Sequence, residues 1–261
     1  MTEVIVVSNE YVAGTLAAEV LHELIRRRPN VVLGLATGST PRPVYQALAA
    51  SVKAARLDVS RIRGFALDEY VGLRTGHPES YRAVIDREVI GPLGLNPSLV
   101  QVPDGSADRI EHSGARYEEA ITTAGGIDAQ ILGVGTDGHI GFNEPGSSLA
   151  SRTRVKTLTA QTRADNARFF ASLEEVPTHC ITQGLGTILK ARRLLLLAFG
   201  ASKAEAIAGA VEGPVTSRLP ASTIQLHEHA TVIVDEAAAS RLENLEYYRY
   251  AYANKPRWQV L

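Results

Sequence analysis

The sequence predicts an α/β fold built on a mostly parallel sheet covered by helices. Short β-branched or leucine-rich runs alternate with longer stretches of helical periodicity, the pattern of strand and crossover helix. Runs such as VVLGLA and LLLLAF are apolar almost without a break, which requires burial on both faces. No internal repeat, low-complexity tract or Pro/Ser-rich linker divides the chain, so its 261 residues read as one α/β domain, 1–261.

In chain order, strands are expected at 3–8, 30–37, 62–68, 99–103, 128–135, 154–159, 193–200 and 231–236. Helices are expected at 11–28, 41–55, 78–90, 107–124, 161–171, 183–190, 201–212 and 236–248. Residues 145–190 are richer in polar and charged groups and read as a helical lid inserted at the mouth of a site.

With 27 Lys and Arg against 28 Asp and Glu, the chain lacks the basic excess of a nucleic-acid binder. Cys180 is the only cysteine, which excludes an intramolecular disulfide and a Cys-based zinc cage and suits a reducing cytoplasm. It reads as a small buried hydrophobe. Glu3 stands where a signal peptide carries basic residues, so no export signal is expected. The longest apolar stretch, Leu194 to Phe199, falls far short of the ~18–20 residues that span a bilayer, so no membrane partner is expected.

In an open α/β sheet, ligands bind beyond the carboxyl ends of the strands, where loops and helix starts converge. Four of these ends carry unusual chemistry. In GLATGSTPRPVYQAL, Gly38, Ser39 and Thr40 lead into a helix, with Ser39 or Thr40 able to cap it and Pro41 suited to its first turn. Free N–H groups and the helix dipole make this a place for an anion; an ordinary capped helix start is the alternative. In FALDEYVGL, Asp68 and Glu69 close a buried strand and point to opposite sides. At most one faces a given pocket, where desolvation raises a carboxyl towards a pKa useful for taking a carbon-bound proton; a surface-facing pair is the plain alternative.

The third end, ILGVGTDGHIGFNEPGSS, contains a literal G-x-G-x-x-G, but no helix-forming sequence follows Gly138 and no acid stands about 20 residues on, so a dinucleotide site is disfavoured. Asp137, His139 and Glu144 remain on a glycine-loosened loop, a histidine flanked by carboxylates and suited to moving protons near neutral pH. Metal binding by the same three is the rival reading. At the fourth end, GASKAEA, Ser202 can cap a helix that carries Lys203 in its first turn, where a cation opposes the dipole unless an anion is near. His227 and His229 read as solvated or hydrogen-bonded, and Arg152, Arg154 and Lys156 make one strand face basic, either solvated or a second anion site. Tyr247, Tyr248, Tyr250, Tyr252 and Trp258 crowd the tail, as for tail docking or a subunit contact.

Taken together and in order, TGSTP, FALDEYVGL, GVGTDGHIGFNEPGSSLASRTRVKTL, TRADNARFF and the GASKA lysine resemble the glucosamine-6-phosphate deaminase family over nearly the whole chain. The resemblance implies a modified Rossmann-like α/β fold with helices on both faces of the sheet, similar to 6-phosphogluconolactonases. It implies conversion of glucosamine 6-phosphate and water to fructose 6-phosphate and ammonia, with no cofactor and no metal. By the same resemblance Asp68 moves a proton from C2 to C1 through an enediol, and His139 opens the ring with support from Asp137 and Glu144. Gly38, Ser39, Thr40, Arg168 and Lys203 hold the phosphate, with Arg168 in the lid. Some members are hexamers activated by N-acetylglucosamine 6-phosphate at a subunit boundary, and Ser147, Arg154, Lys156 and Thr157 here resemble that effector site. The aligned tyrosine is Tyr247 or Tyr248, because the tail YYRYAYANKPRWQVL departs from the family pattern. The implied partners are a small sugar phosphate and further copies of the chain. A phosphosugar lactonase, a galactosamine-6-phosphate deaminase and a silent sugar-phosphate sensor are the competing readings.

Overall fold

The computed structural model describes residues 2–256 and 258–259; the single-domain reading at Met1, Arg257, Val260 and Leu261 lies outside the described residues. The chain opens with β1 (Glu3–Val7) and α1 (Glu10–Arg27), whose start is capped by the Asn9 side chain accepting from the Tyr11 and Val12 N–H groups. β2 (Val32–Leu35), α2 (Arg42–Ala55), β3 (Arg63–Ala66) and β4 (Asp68–Tyr70) follow. α3 (Tyr81–Ile85) continues through a π-helical turn, Asp86–Ile90, into α4 (Gly91–Leu93). After β5 (Val100–Gln101) come α5 (Ile110–Thr123), β6 (Ala129–Gly133), β7 (Arg154–Thr157), α6 (Ala160–Asn166) and β8 (His179–Thr182). The chain ends with α7 (Leu185–Ile188), β9 (Leu194–Ala198), α8 (Ala204–Val211), β10 (Ala230–Asp235) and α9 (Leu245–Ala253).

Seven strands form one sheet in the order β1-β10-β9-β6-β2-β3-β5, every pairing parallel. β2 and β9 are buried at every position, as their unbroken apolar runs require. The α/β fold class and its parallel sheet are therefore as the sequence indicates.

Three expectations need correction. The stretch 62–68 is not one strand: β3 ends at Ala66, and Asp68 begins β4 in a second sheet, pairing antiparallel with Thr182 of β8. β7 also pairs antiparallel with β8, giving a three-stranded sheet of order β4-β8-β7. Within 145–190, the strand expected at 154–159 appears as β7 and helix is found at 160–169 and 185–188, but the span also contributes β8, where no strand is expected, so the lid segment is a mixed rather than a helical one. β8 is only four residues, HCIT, too short to show a period. Finally, the last helix starts at Leu245 rather than 236, because the Glu212 carboxylate accepts the N–H groups of Glu243 and Asn244 and the Tyr248 hydroxyl.

The small sheet is fastened to the rest of the chain through α5. Glu118 is buried and its Oε1 accepts from the Thr153 N–H at 2.8 Å, the Thr153 hydroxyl at 2.7 Å and the Thr187 hydroxyl, while Arg152 Nη2 lies 2.7 Å from Oε2. One turn earlier, Gly114 lets the helix touch the next segment, since a Cβ there would overlap the Thr153 carbonyl oxygen. Gly114→Ala improves helix propensity by about 1 kcal/mol but forces backbone apart, at about 1–3 kcal/mol. The clash should win. Thermal denaturation is expected to show a net loss of several degrees; an unchanged or raised Tm would mean that the α5–β7 approach is loose.

Candidate active site

The carboxyl ends of β9, β6, β2 and β3 are adjacent in the large sheet, and they open together on a cavity of about 660 Å³. Asp68, His139, Gly38, Ser39, Thr40, Arg168 and Lys203 all line it. Asp137 and Glu144 stand behind His139 rather than on the wall. The four chemically unusual strand ends thus share a single space.

Asp68 sits where the chain changes sheets, and its carboxyl is buried. Burial, aided by the negative charge of neighbouring Glu69, pushes its pKa up to about 8, against the Phe142 N–H that favours the charged form. The two adjacent acids do face opposite ways. Glu69 turns from the cavity and caps α3, its Oε1 accepting from Tyr70 N–H at 2.8 Å and Tyr81 N–H at 2.9 Å and its Oε2 from Arg82 N–H at 3.0 Å. The loop bearing His139 passes close to Asp68 at Gly141, φ +55°, where a Cβ would lie 3.3 Å from Asp68 Oδ2.

His139 Nδ1 lies 2.7 Å from Asp137 Oδ1 and 3.8 Å from Glu144 Oε2. Burial works against the charge on Asp137, but its contacts with the imidazole and the His139 N–H hold that carboxyl well below the usual range. Gly135 is glycine because the ring lies over it: a Cβ there would overlap the imidazole. The G-x-G-x-x-G therefore shelters a histidine, and no helix follows it. The candidate ligand atoms of Asp137, His139 and Glu144 all fall within 4.8 Å of one another, so the rival metal reading has three donors available. Two are already engaged, Asp137 with the imidazole and Glu144 Oε1 with Thr159 and Thr162.

At the other wall, the expected capping is absent. α2 starts without a side-chain cap, so neither Ser39 nor Thr40 is tied to the helix by its hydroxyl, and Gly38 turns the chain at φ +97°. Ser202 likewise caps nothing, and Lys203 stands at the N-cap position of α8 behind a 3₁₀ turn, Ala201–Lys203. Burial lowers the Lys203 pKa; Asp165 and Asp137 counter this, and Arg168 adds to it. Neither Arg168 nor Lys203 makes an ion pair among the described residues, although Arg168 lies 4.7 Å over the Phe169 ring. Two unpaired cations at a wall of free hydroxyls and a helix start are an anion site in waiting.

These elements agree with what the chain is similar to. Residues 9–233 match the model of the family described as glucosamine-6-phosphate isomerases/6-phosphogluconolactonase. The chain belongs to this family. Glucosamine-6-phosphate deaminases of Bifidobacterium longum (strain DJO10A) and Streptomyces avermitilis are 60% and 58% identical, over 99% and 98% of this chain and 99% of theirs. Among solved structures, a monomeric glucosamine-6-phosphate deaminase superposes with TM-score 0.89 at 40% identity, covering 92% of this chain and all of that one. The 6-phosphogluconolactonase of Trypanosoma brucei shares the fold, TM-score 0.76 at 17% identity, over 93% of this chain and 99% of its own.

The four residues set apart as an effector site do not line this cavity. Ser147 is buried with its hydroxyl unpartnered, and Arg154, Lys156 and Thr157 lie along β7 at the edge of the small sheet. Arg154 Nη1 donates to Asn143 Oδ1 at 2.6 Å, and Arg152 is spent on Glu118. Cys180 is buried, which raises its thiol pKa far above normal, in keeping with a packing role. His227 accepts the His229 N–H and meets the Ala191 carbonyl through its other ring nitrogen. Sequence reasoning missed the aromatic floor of this family site, where Tyr70, Tyr81, Phe142 and Phe170 pack at 4.9–5.8 Å ring separations. Tyr81 follows Ser80, which caps α3, so the run from His77 to Tyr81 both starts that helix and brings an aromatic ring to the cavity.

The Asp68 carboxyl has a consequence for stability. Its unfolded pKa is about 3.9 and its folded value about 8. Between those values the folded chain holds a proton that the unfolded chain has lost, so stability falls as pH rises through this window. Asp68→Asn removes that penalty. Its Tm should exceed the wild-type value at pH 8, with the gap closing towards pH 4; a gap independent of pH would show that burial of the charge is not the cause.

Proposed function

We propose that the chain is a glucosamine-6-phosphate deaminase, converting glucosamine 6-phosphate and water to fructose 6-phosphate and ammonia. One observation carries the reading: a buried carboxyl and a carboxylate-flanked imidazole, from different strand ends, line the same cavity as two unpaired cations and a helix start. The last group is suited to the phosphate, through Gly38, Ser39, Thr40, Arg168 and Lys203. His139, backed by Asp137 and Glu144, passes a proton to the ring oxygen as the anomeric hydroxyl gives one up. Asp68, ionised, takes the C2 proton to give an enediol-like intermediate bearing nitrogen at C2, then returns that proton to C1. Water adds to the resulting C2–N double bond, and ammonia leaves. No electrons are gained or lost, and no step calls for a cofactor.

Lactone hydrolysis has no use for a carbon-proton base, and a silent sensor has no use for an acid kept buried at such cost, so Asp68 favours the deaminase over both. The galactosamine epimer is tested alongside as a second substrate. We place the work of this enzyme in the cytoplasm, a reading supported by the free buried thiol of Cys180. No helix among the described residues is long and apolar enough to cross a membrane. Self-association is also proposed, supported by the exposed Tyr247, Tyr250 and Trp258, with Ser147, Arg154, Lys156 and Thr157 as the effector site. Sedimentation tests the first. A sigmoidal substrate curve made hyperbolic by N-acetylglucosamine 6-phosphate tests the second, and identical curves with and without it remove the effector reading.

Purified protein is expected to release ammonia and fructose 6-phosphate in equal amounts, with a chelator leaving the rate unchanged; a folded protein that releases none overturns the assignment. Asp68→Asn should cut kcat by about 10²–10⁴-fold. In the wild type, kcat/KM should rise with pH through about 8 as Asp68 ionises. Arg168→Ala should raise KM about 10–100-fold, the size of a lost charge-assisted contact; an unchanged KM takes Arg168 out of the phosphate site.

A further inference from the structure

Glu144 divides its two oxygens between the lid and the histidine. Oε1 accepts the Thr162 hydroxyl at 2.6 Å, and the Thr159 N–H and hydroxyl stand 3.3 and 3.4 Å away. Thr159 is the N-cap of α6, accepting the Thr162 N–H at 3.1 Å, and the two threonine hydroxyls are 3.0 Å apart. The start of the lid helix therefore closes on a carboxylate from the catalytic loop. Oε2 is left buried with no hydrogen-bond partner, 3.8 Å from His139 Nδ1. Thr162 itself is buried and lines the cavity.

We propose that Thr162 is a positioning residue: its hydroxyl holds Glu144 with Oε2 turned towards His139, so that seating of the lid helix and readiness of the imidazole are one event. A buried carboxylate aims a free oxygen only while its other oxygen is satisfied, and the Thr162 hydroxyl is the shortest contact on that side. When the imidazole becomes charged during ring opening, Asp137 already meets its Nδ1, and Glu144 Oε2 is poised to share that proton. An α6 that lifts from the cavity takes the hydroxyl with it and frees the carboxylate to rotate. Thr162 thus acts through Glu144, while Arg168, later in the same segment, acts on the anion.

This inference rests on the deaminase reading, and ammonia release by the wild type, Thr162→Val, Thr162→Ser, Glu144→Gln and the Glu144→Gln/Thr162→Val double variant tests the two separately. Thr162→Val should lower kcat about 10–100-fold with KM within about 3-fold of wild type, and Thr162→Ser should recover to within about 3-fold. On the Glu144→Gln background the valine should cost less than about 2-fold, because the two residues act as a unit. Thr162→Ala replaces the valine variant if melting shows that valine does not fold. An unchanged kcat, a rise in KM alone, or the full loss repeated on the Glu144→Gln background would overturn the positioning role while wild-type activity leaves the enzyme reading intact. A folded wild type that releases no ammonia would instead remove both.

Discussion

The site depends on one residue of chain, Leu67, serving two sheets. Its N–H donates to the Leu35 carbonyl of the large parallel sheet at 2.9 Å, and its own carbonyl accepts the Gln183 N–H beside β8 at 2.7 Å. The next residue is Asp68. Because the backbone there is bonded on both sides, the carboxyl is fixed at the seam between the sheets, where it is buried and yet reaches the cavity. The same seam carries the second contact: Thr182, the register partner of Asp68, accepts the Phe142 N–H at 3.1 Å and so ties the histidine loop to the carboxyl. Carboxyl and imidazole loop are positioned by one set of hydrogen bonds at the seam, the Leu67 backbone bonds and the Thr182 hydroxyl, rather than by two independent loops.

Electrostatics gives the arrangement its direction. One end of the cavity holds a carboxyl raised by burial, the other a lysine lowered by burial beside an arginine with no counter-ion among the described residues. Each is a local cost that a packed protein without a ligand avoids. An anionic substrate relieves the second by neutralising the cations. The first persists, because a protonated Asp68 is what burial favours, and under the proposed mechanism that proton leaves before the carboxyl takes one from carbon.

Much of this was written in local sequence. Strands β2 and β9 announce themselves by unbroken apolar runs and β6 and β10 by short apolar stretches, and the chemistry beyond β3, β6 and β9 by Asp68, His139 and Lys203 standing where a sheet delivers its ligands. What the sequence could not show was set by distant partners. The break after Ala66 comes from Thr182, which lies 114 residues from Asp68 and draws it into a different sheet. The free hydroxyls of Ser39 and Thr40 look like caps in isolation, because the conformation at Gly38 that withholds them is not encoded in a capping pattern. Thr162 is a plain threonine in TRADNARFF until Glu144, 18 residues back, is seen to accept its hydroxyl.

The fold alone does not decide the chemistry. A superposition with a phosphogluconolactonase at 17% identity shows that this framework also carries proteins of another name, so the chemistry is set by the side chains. Opening a lactone asks for activated water and a grip on the phosphate, which the His139 cluster and the cation wall would supply. It offers nothing for a carboxyl lifted to about 8 at the seam of two sheets. Moving a proton between neighbouring carbons does need one, because the base must be basic enough to accept a carbon-bound proton and must return it before water intervenes. The aromatic floor of Tyr70, Tyr81 and Phe142 around that carboxyl keeps the acid dry, which raises its basicity and suits it to the proposed proton transfer between adjacent carbons.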